Sequence, residues 1–255
     1  MKKRLHISGW ILCLCALLMP AAVTGLFQNG PEVPGKPWPW DNYANPKVVR
    51  VPVCFRPPGT KPDKFDPNIT FPTTKYTQSE WMAKRAMVRD ALETSWQKWT
   101  MLRFVNWGDC PANPAGFMYV DLIKNDCGGC GDALPRGGYH AGGVNIWMMT
   151  ENGDERLLRT VTIHEFGHAL GFHHEMDRQD AKFPNGTPKC NDGPVTVAGI
   201  YLTPYYDDVS VMNYCAPRNR NGLSAGDIDG AQVLYGKSQE DGWAGAVPVL
   251  NLFAM

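Results

Sequence analysis

Four of the six histidines in this 255-residue chain fall within eleven positions: His164-Glu165-Phe166-Gly167-His168-Ala169-Leu170-Gly171-Phe172-His173-His174. Nothing else in the sequence restricts the fold as strongly. On a helix, expected from about Leu157 to Leu170, His164 and His168 lie about 40° apart around the axis and roughly 6 Å along it, so both imidazoles reach one ion. Gly171 can take the left-handed conformation that stops a helix, and the reversed chain then brings His174 round as a third nitrogen. The spacing gives that role to His174 and leaves its neighbour His173 a structural residue. Three neutral histidines leave Zn²⁺ an open position for water, the pattern of a catalytic rather than a structural site. Glu165 is set beside the ligands to touch a water on the ion, not the ion itself.

The compartment follows from the other end of the chain. Lys2-Lys3-Arg4 is a positive start, Trp10 to Met19 is apolar, and small residues follow from Pro20 to Thr24. Ten apolar residues are too few to span a bilayer, which takes roughly 20, so residues 1–24 read as an export signal. Its removal leaves a net charge of −3 and six cysteines: Cys54, Cys110, Cys127, Cys130, Cys190 and Cys215. An even number in an oxidising compartment predicts three disulfides, among 15 connectivities. Cys127-Gly-Gly-Cys130 reads as a local pair, since no second CxxC exists to complete a zinc knuckle. Cys190 with Cys215 and Cys54 with Cys110 are the other expected pairs. Lys+Arg and Asp+Glu are equal at 25 each, with no basic stripe, which excludes a nucleic-acid partner. No later segment is apolar enough to hold the chain in a membrane.

Residues 25–46 are rich in Pro and Gly without a period and read as a pro-segment or N-terminal arm. The catalytic domain is then expected over 47–255, with an upper half to about 171 and a lower half from about 172. Lys47–Phe55, Leu102–Trp107, Phe117–Ile123 and Val144–Met149 read as strands, and Gly128–Gly143 as holding a short edge strand. A helix capped by Ser79 is expected to reach about Thr100, with Trp81, Val88, Leu92, Trp96 and Trp99 at core spacing. Ser224 caps a last helix to Leu234. Asn68-Ile69-Thr70 and Asn185-Gly186-Thr187 are glycosylation sequons, and His140 reads as a rim or surface residue.

HExxHxxGxxH is the metzincin signature, matched here at every fixed position. The continuation Glu175-Met176-Asp177-Arg178-Gln179-Asp180 resembles the astacin extension, and Ser210-Val211-Met212-Asn213-Tyr214 resembles the metzincin Met-turn. Leu223-Ser224, Asp227 and Leu234-Tyr235-Gly236 are similar to the last helix of such proteases. Asn213 departs from the His that astacins usually carry. The arm has no FxGD aspartate switch and no cysteine switch, which leaves Asp41 as its one candidate.

The resemblance implies an α+β fold of the metzincin zincin type. That means a twisted mixed sheet, two long helices above the cleft, and a smaller irregular C-terminal part with one helix. It implies one catalytic Zn²⁺ held by His164, His168 and His174 with Tyr214 as a switching ligand, and Glu165 and Tyr214 as catalytic groups. Gly171, Glu175 and Met212 support the site, Met212 as packing beneath the metal. The expected function is that of a secreted, monomeric zinc endopeptidase acting on protein or peptide, extracellular or periplasmic. Two rival readings are a secreted zinc-binding adhesion or effector module without turnover, and a peptidase of cell-wall peptides.

Overall fold

Successive side chains of a strand point to opposite faces, and in Val49–Phe55 the alternate residues Val49, Val51 and Val53 are fully buried while Arg50 is exposed. A computed structural model describes residues 27–30, 33–34, 48–62, 71–124, 130–133, 144–150, 155–183, 185–186, 190, 199–215 and 222–238. Residues 1–24, Asp41, Asn68, Cys127 and His140 lie outside the described residues, and so therefore does the expected Cys127–Cys130 pair.

The elements in chain order are β1 (Phe27–Gly30), β2 (Val33–Pro34), β3 (Val49–Phe55), α1 (Gln78–Glu93), α2 (Trp96–Trp99), β4 (Leu102–Asp109), β5 (Met118–Lys124), β6 (Cys130–Ala133), β7 (Val144–Thr150), α3 (Glu155–Ala169), a 3₁₀ turn (Glu175–Asp177), β8 (Gly199–Ile200) and α4 (Ala225–Tyr235). The main sheet has the order β4-β3-β5-β7-β6. Its first four strands are parallel and β6 runs antiparallel to β7 at the edge, inside the span where an edge strand was expected. Helices α1 and α3 pack on each other, and the core between them and the sheet includes Leu92, Trp96, Val120, Ile146, Ile163 and Phe166. This is a mixed α+β architecture with a largely parallel sheet.

Three expectations change. The first helix is capped by Thr77, not Ser79: the Thr77 hydroxyl accepts from the Glu80 N–H (3.3 Å), and the Glu80 carboxylate accepts from the Thr77 N–H (2.7 Å), a reciprocal arrangement that outcompetes a hydroxyl two residues later. That helix also stops at Glu93. The Thr94 and Ser95 hydroxyls donate back to the Asp90 and Ala91 carbonyls at 2.6 and 2.5 Å, and Ser95 leaves helical geometry before the four-residue α2 begins. In the N-terminal arm, where no periodic structure was expected, β1 pairs with β2 and also with β8.

Two smaller differences are the start of α3 at Glu155 and the continuation of β4 to Asp109. The latter passes a bulge where Asn106 and Trp107 have positive φ and the register against β3 shifts. Disulfides join Cys54 to Cys110 and Cys190 to Cys215.

Helix α3 ends as the glycine required. Gly171 has φ 107°, its N–H donates to the His168 carbonyl (2.9 Å), and the Phe172 N–H donates to the Gly167 carbonyl (3.0 Å), a Schellman closure. The Tyr235 hydroxyl of α4 donates to the Leu170 carbonyl at 2.5 Å. Gly171→Ala is expected to cost about 1–2 kcal/mol in urea unfolding, since a Cβ is disfavoured at that φ, and to weaken metal binding because His174 is reached through this turn.

Candidate metal centre

Helix α3 brings His164 and His168 to one face, and the turn at Gly171 folds His174 back onto them. The nearest nitrogen pairs are His168 Nε2 to His164 Nε2 at 3.2 Å and His168 Nε2 to His174 Nε2 at 3.0 Å. The three ligand atoms all lie within 4.8 Å of one another, the one such cluster among the described residues.

The tautomers follow from the opposite side of each ring. His164 Nδ1 is 2.7 Å from the Val211 carbonyl and His168 Nδ1 is 2.8 Å from the Phe172 carbonyl. A carbonyl only accepts, so each Nδ1 carries the hydrogen and each Nε2 presents a lone pair. His174 Nδ1 lies 3.7 Å from the Asp177 carboxylate. Lone pairs converging at 3.0–3.2 Å repel unless a cation lies among them. A proton is a poor substitute. Burial lowers the pKa of His164, carries His168 well below the ordinary 6.5, and brings His174 down to about 3, with the neighbouring histidines adding to the shift for His168 and His174. The donor set of three imidazole nitrogens fits Zn²⁺ with room for a further ligand.

The other expected residues gather around this cluster. Glu165 is buried on α3 next to the first ligand. The Tyr214 ring sits 4.3 Å from that of His174 and 5.5 Å from that of His164, and is 52% exposed. Met212 is buried beneath α3, where a Cβ on Gly167 would overlap its sulfur. Glu175 bonds onward: its N–H donates to the Met212 carbonyl (2.9 Å) and its Oε1 accepts from the Asp207 N–H (2.8 Å). His173 points away from the ligand set into a small pocket of about 30 Å³ that Glu175, Asp207 and Asp227 also line.

The sequence does not reveal what holds the Ser210–Tyr214 segment. Asp227 of α4 accepts from the Ser210 hydroxyl (2.5 Å) and from the Val211 and Ser224 N–H groups (2.9 Å each). One carboxylate thus holds the N–H side of the residue whose carbonyl orients His164. Its sequence trace is the Ser224-x-x-Asp227 cap, which resembles any helix start. Arg178, 1% exposed, clamps Asp180 with two 2.8 Å bonds and donates to Thr203, tying the segment after His174 to the next loop. Trp96 stacks on Phe172 at 5.1 Å and donates to the Ile163 carbonyl at 2.9 Å, bracing the turn from α2.

A family model described as dual-action HEIGH metallo-peptidase matches residues 69–235, well over half of the chain. Residues 164–168 read HEFGH, differing from those five letters at Phe166 alone. Among solved structures, a structure of myroilysin is 17% identical, covering 74% of this chain and 93% of that one with a TM-score of 0.43. A crystal structure of myroilysin is 18% identical, covering 73% and 83% with a TM-score of 0.39. No curated protein matches the chain.

The electrostatics give the metal-free chain a pH signature. Burial holds His174 near 3 and His173 near 4 against 6.5 when unfolded. Below 6.5 the unfolded chain takes up protons that the folded one does not, so stability falls with pH. Glu175 is the reverse case: burial, only partly opposed by the Asp207 N–H and Arg178, raises it from 4.5 to about 8, so its contribution falls as pH rises from 4.5 to about 8. Asp227, also raised by burial, acts in the same sense from its ordinary 3.8 upward. Four histidines outweigh two carboxyls below 6.5. The melting temperature of chelator-treated protein is therefore expected to peak near pH 6.5, with the steeper limb on the acid side. Glu175→Gln should flatten the alkaline limb; calorimetry from pH 4.5 to 8.5 measures both.

Proposed function

Since the chain belongs to the dual-action HEIGH metallopeptidase family, we propose that it is an exported zinc-dependent endopeptidase whose ion is held by His164, His168 and His174. The convergence of three Nε2 lone pairs, with each of the first two rings fixed by a carbonyl behind it, carries this reading. A bound Zn²⁺ supplies Lewis acidity, lowering the pKa of a water to about 7 and polarising a peptide carbonyl.

The residues of the chain do the rest. Glu165 takes the proton released as water attacks and hands it to the leaving amine. Tyr214, beside His164 and His174, would serve as a further donor to the bound ion and offer its hydroxyl to the developing oxyanion. Gly171 sets the turn that delivers His174, while Met212 and Glu175 hold that turn from below. An extended peptide substrate adds to the edge of β6, whose only strand partner among the described residues is β7.

Within the family we favour an astacin-like, metzincin-type arrangement, supported by Tyr214 two residues after Met212 in the Met-turn-like segment and by the Arg178–Asp180 clamp after His174. Export is supported by the character of residues 1–24 and by the two disulfides. No helix among the described residues is long and apolar enough to cross a membrane.

Chelation is expected to abolish hydrolysis of casein or gelatin, and added Zn²⁺ to restore it. Glu165→Ala should keep zinc and fold while activity falls by roughly 10² or more; near-normal turnover by the folded, zinc-loaded variant would remove Glu165 from the reaction. His174→Ala should lose metal affinity, and retention of one zinc per chain at unchanged affinity would transfer the role to another residue. Tyr214→Phe should lower kcat more than KM, because the hydroxyl acts only once the oxyanion forms.

A further inference from the structure

Tyr214 is half exposed, yet the role proposed for it needs its hydroxyl at one place. The ring contacts of Tyr214 with His174 and His164 are joined by a second constraint, the peptide that carries it. That peptide is bracketed. Asn213 Oδ1 accepts from the Cys215 N–H at 3.0 Å, an Asx turn whose middle residue is Tyr214. Asn213 Nδ2 donates to the Tyr206 hydroxyl at 2.6 Å. The Asn213 N–H donates to the Ser210 carbonyl at 3.2 Å, and Cys215 is bonded to Cys190.

The far end of the bracket is fixed as well. Asp207, next to Tyr206, gives its N–H to Glu175 and receives the Val209 N–H at 3.0 Å. Asn213 is 5% exposed, so its amide is buried while the ring it flanks faces the histidines. Both ends of one amide are used, the oxygen to close the turn around Tyr214 and the nitrogen to reach the loop that supports Glu175.

We propose that Asn213 is a positioning residue for Tyr214, holding the phenol hydroxyl in register with the metal centre through the Asx turn and the Tyr206 contact. The inference rests on the reading of Tyr214 given above. It predicts that Asn213 contributes to turnover through the Tyr214 hydroxyl and by no other route.

The test is a double-mutant cycle on the zinc-loaded protein with a peptide substrate, reading kcat, KM, zinc stoichiometry and melting temperature. Asn213→Ala should lower kcat roughly tenfold, in the range that small misplacements of reacting groups produce, with KM within about twofold and zinc unchanged. In a Tyr214→Phe background the same change should cost less than about twofold more. Asn213→Asp keeps an acceptor for the Cys215 N–H and can accept from the Tyr206 hydroxyl, and should recover most of kcat. Tyr206→Phe, which removes one oxygen, should give a smaller loss that also vanishes in the Tyr214→Phe background; it carries the cycle if Asn213→Ala does not fold.

An undiminished kcat for Asn213→Ala, or an equal fold-loss in both backgrounds, overturns the inference and leaves the role of Tyr214 standing. An undiminished kcat for Tyr214→Phe alone removes that role, and the inference with it.

Discussion

Three imidazole lone pairs aimed at one another are an unfavourable arrangement in a metal-free protein, and much of this molecule exists to impose it. Each ring would turn away if free to do so. His164 is held by the Val211 carbonyl and His168 by the Phe172 carbonyl. His174 is delivered by a helix stop that Gly171 makes and Tyr235 reinforces. Burial removes the alternative of protonating the rings. The strain of convergence is thus converted into affinity for a cation, since a metal is what relieves it.

The groups that impose this geometry are themselves costly to bury, and they offset one another in pairs. Arg178 is almost inaccessible, but its guanidinium meets Asp180 face to face, Glu175 lies 3.5 Å away, and the Thr203 carbonyl and hydroxyl take its remaining donors. Asp227 is buried under α4, with the Ser210 hydroxyl and two backbone N–H groups on its oxygens. A buried charge with a full set of hydrogen bonds adds little net stability, whereas removing one partner is expensive. Such pairs suit a site that must keep one geometry more than they suit a site that must be very stable.

What could be read in the sequence was what is local in the chain. The three clustered histidines lie within eleven residues, and helical periodicity with one glycine turns that spacing into geometry. The strands of the main sheet were legible because β-branched runs such as Val49–Phe55 admit few alternatives. The supports were not legible in the same way. Val211 meets His164 across 47 residues and Arg178 meets Thr203 across 25, and no periodicity records such pairings. Asn213 and Tyr206 are ordinary polar residues until the fold joins them. The helix ends were misjudged for a different reason. Thr77, Ser79, Thr94 and Ser95 all carry hydroxyls that can bond to nearby backbone, and their bonding partners, not their identities, decide which of them caps and which breaks a helix.

The dependence of the Ser210–Tyr214 segment on α4 also sets an order in time. Synthesis runs from the N-terminus at about 5–20 residues per second, so the three histidines emerge well before Asp227. Until α4 has emerged and folded, Asp227 cannot hold the Ser210 hydroxyl and the Val211 N–H of the segment whose carbonyl meets His164. Over the stretch from His174 to Asp227 a growing chain therefore carries the three clustered histidines without the helix that holds Val211. In a metallopeptidase, this support for the histidine cluster therefore comes late in the chain.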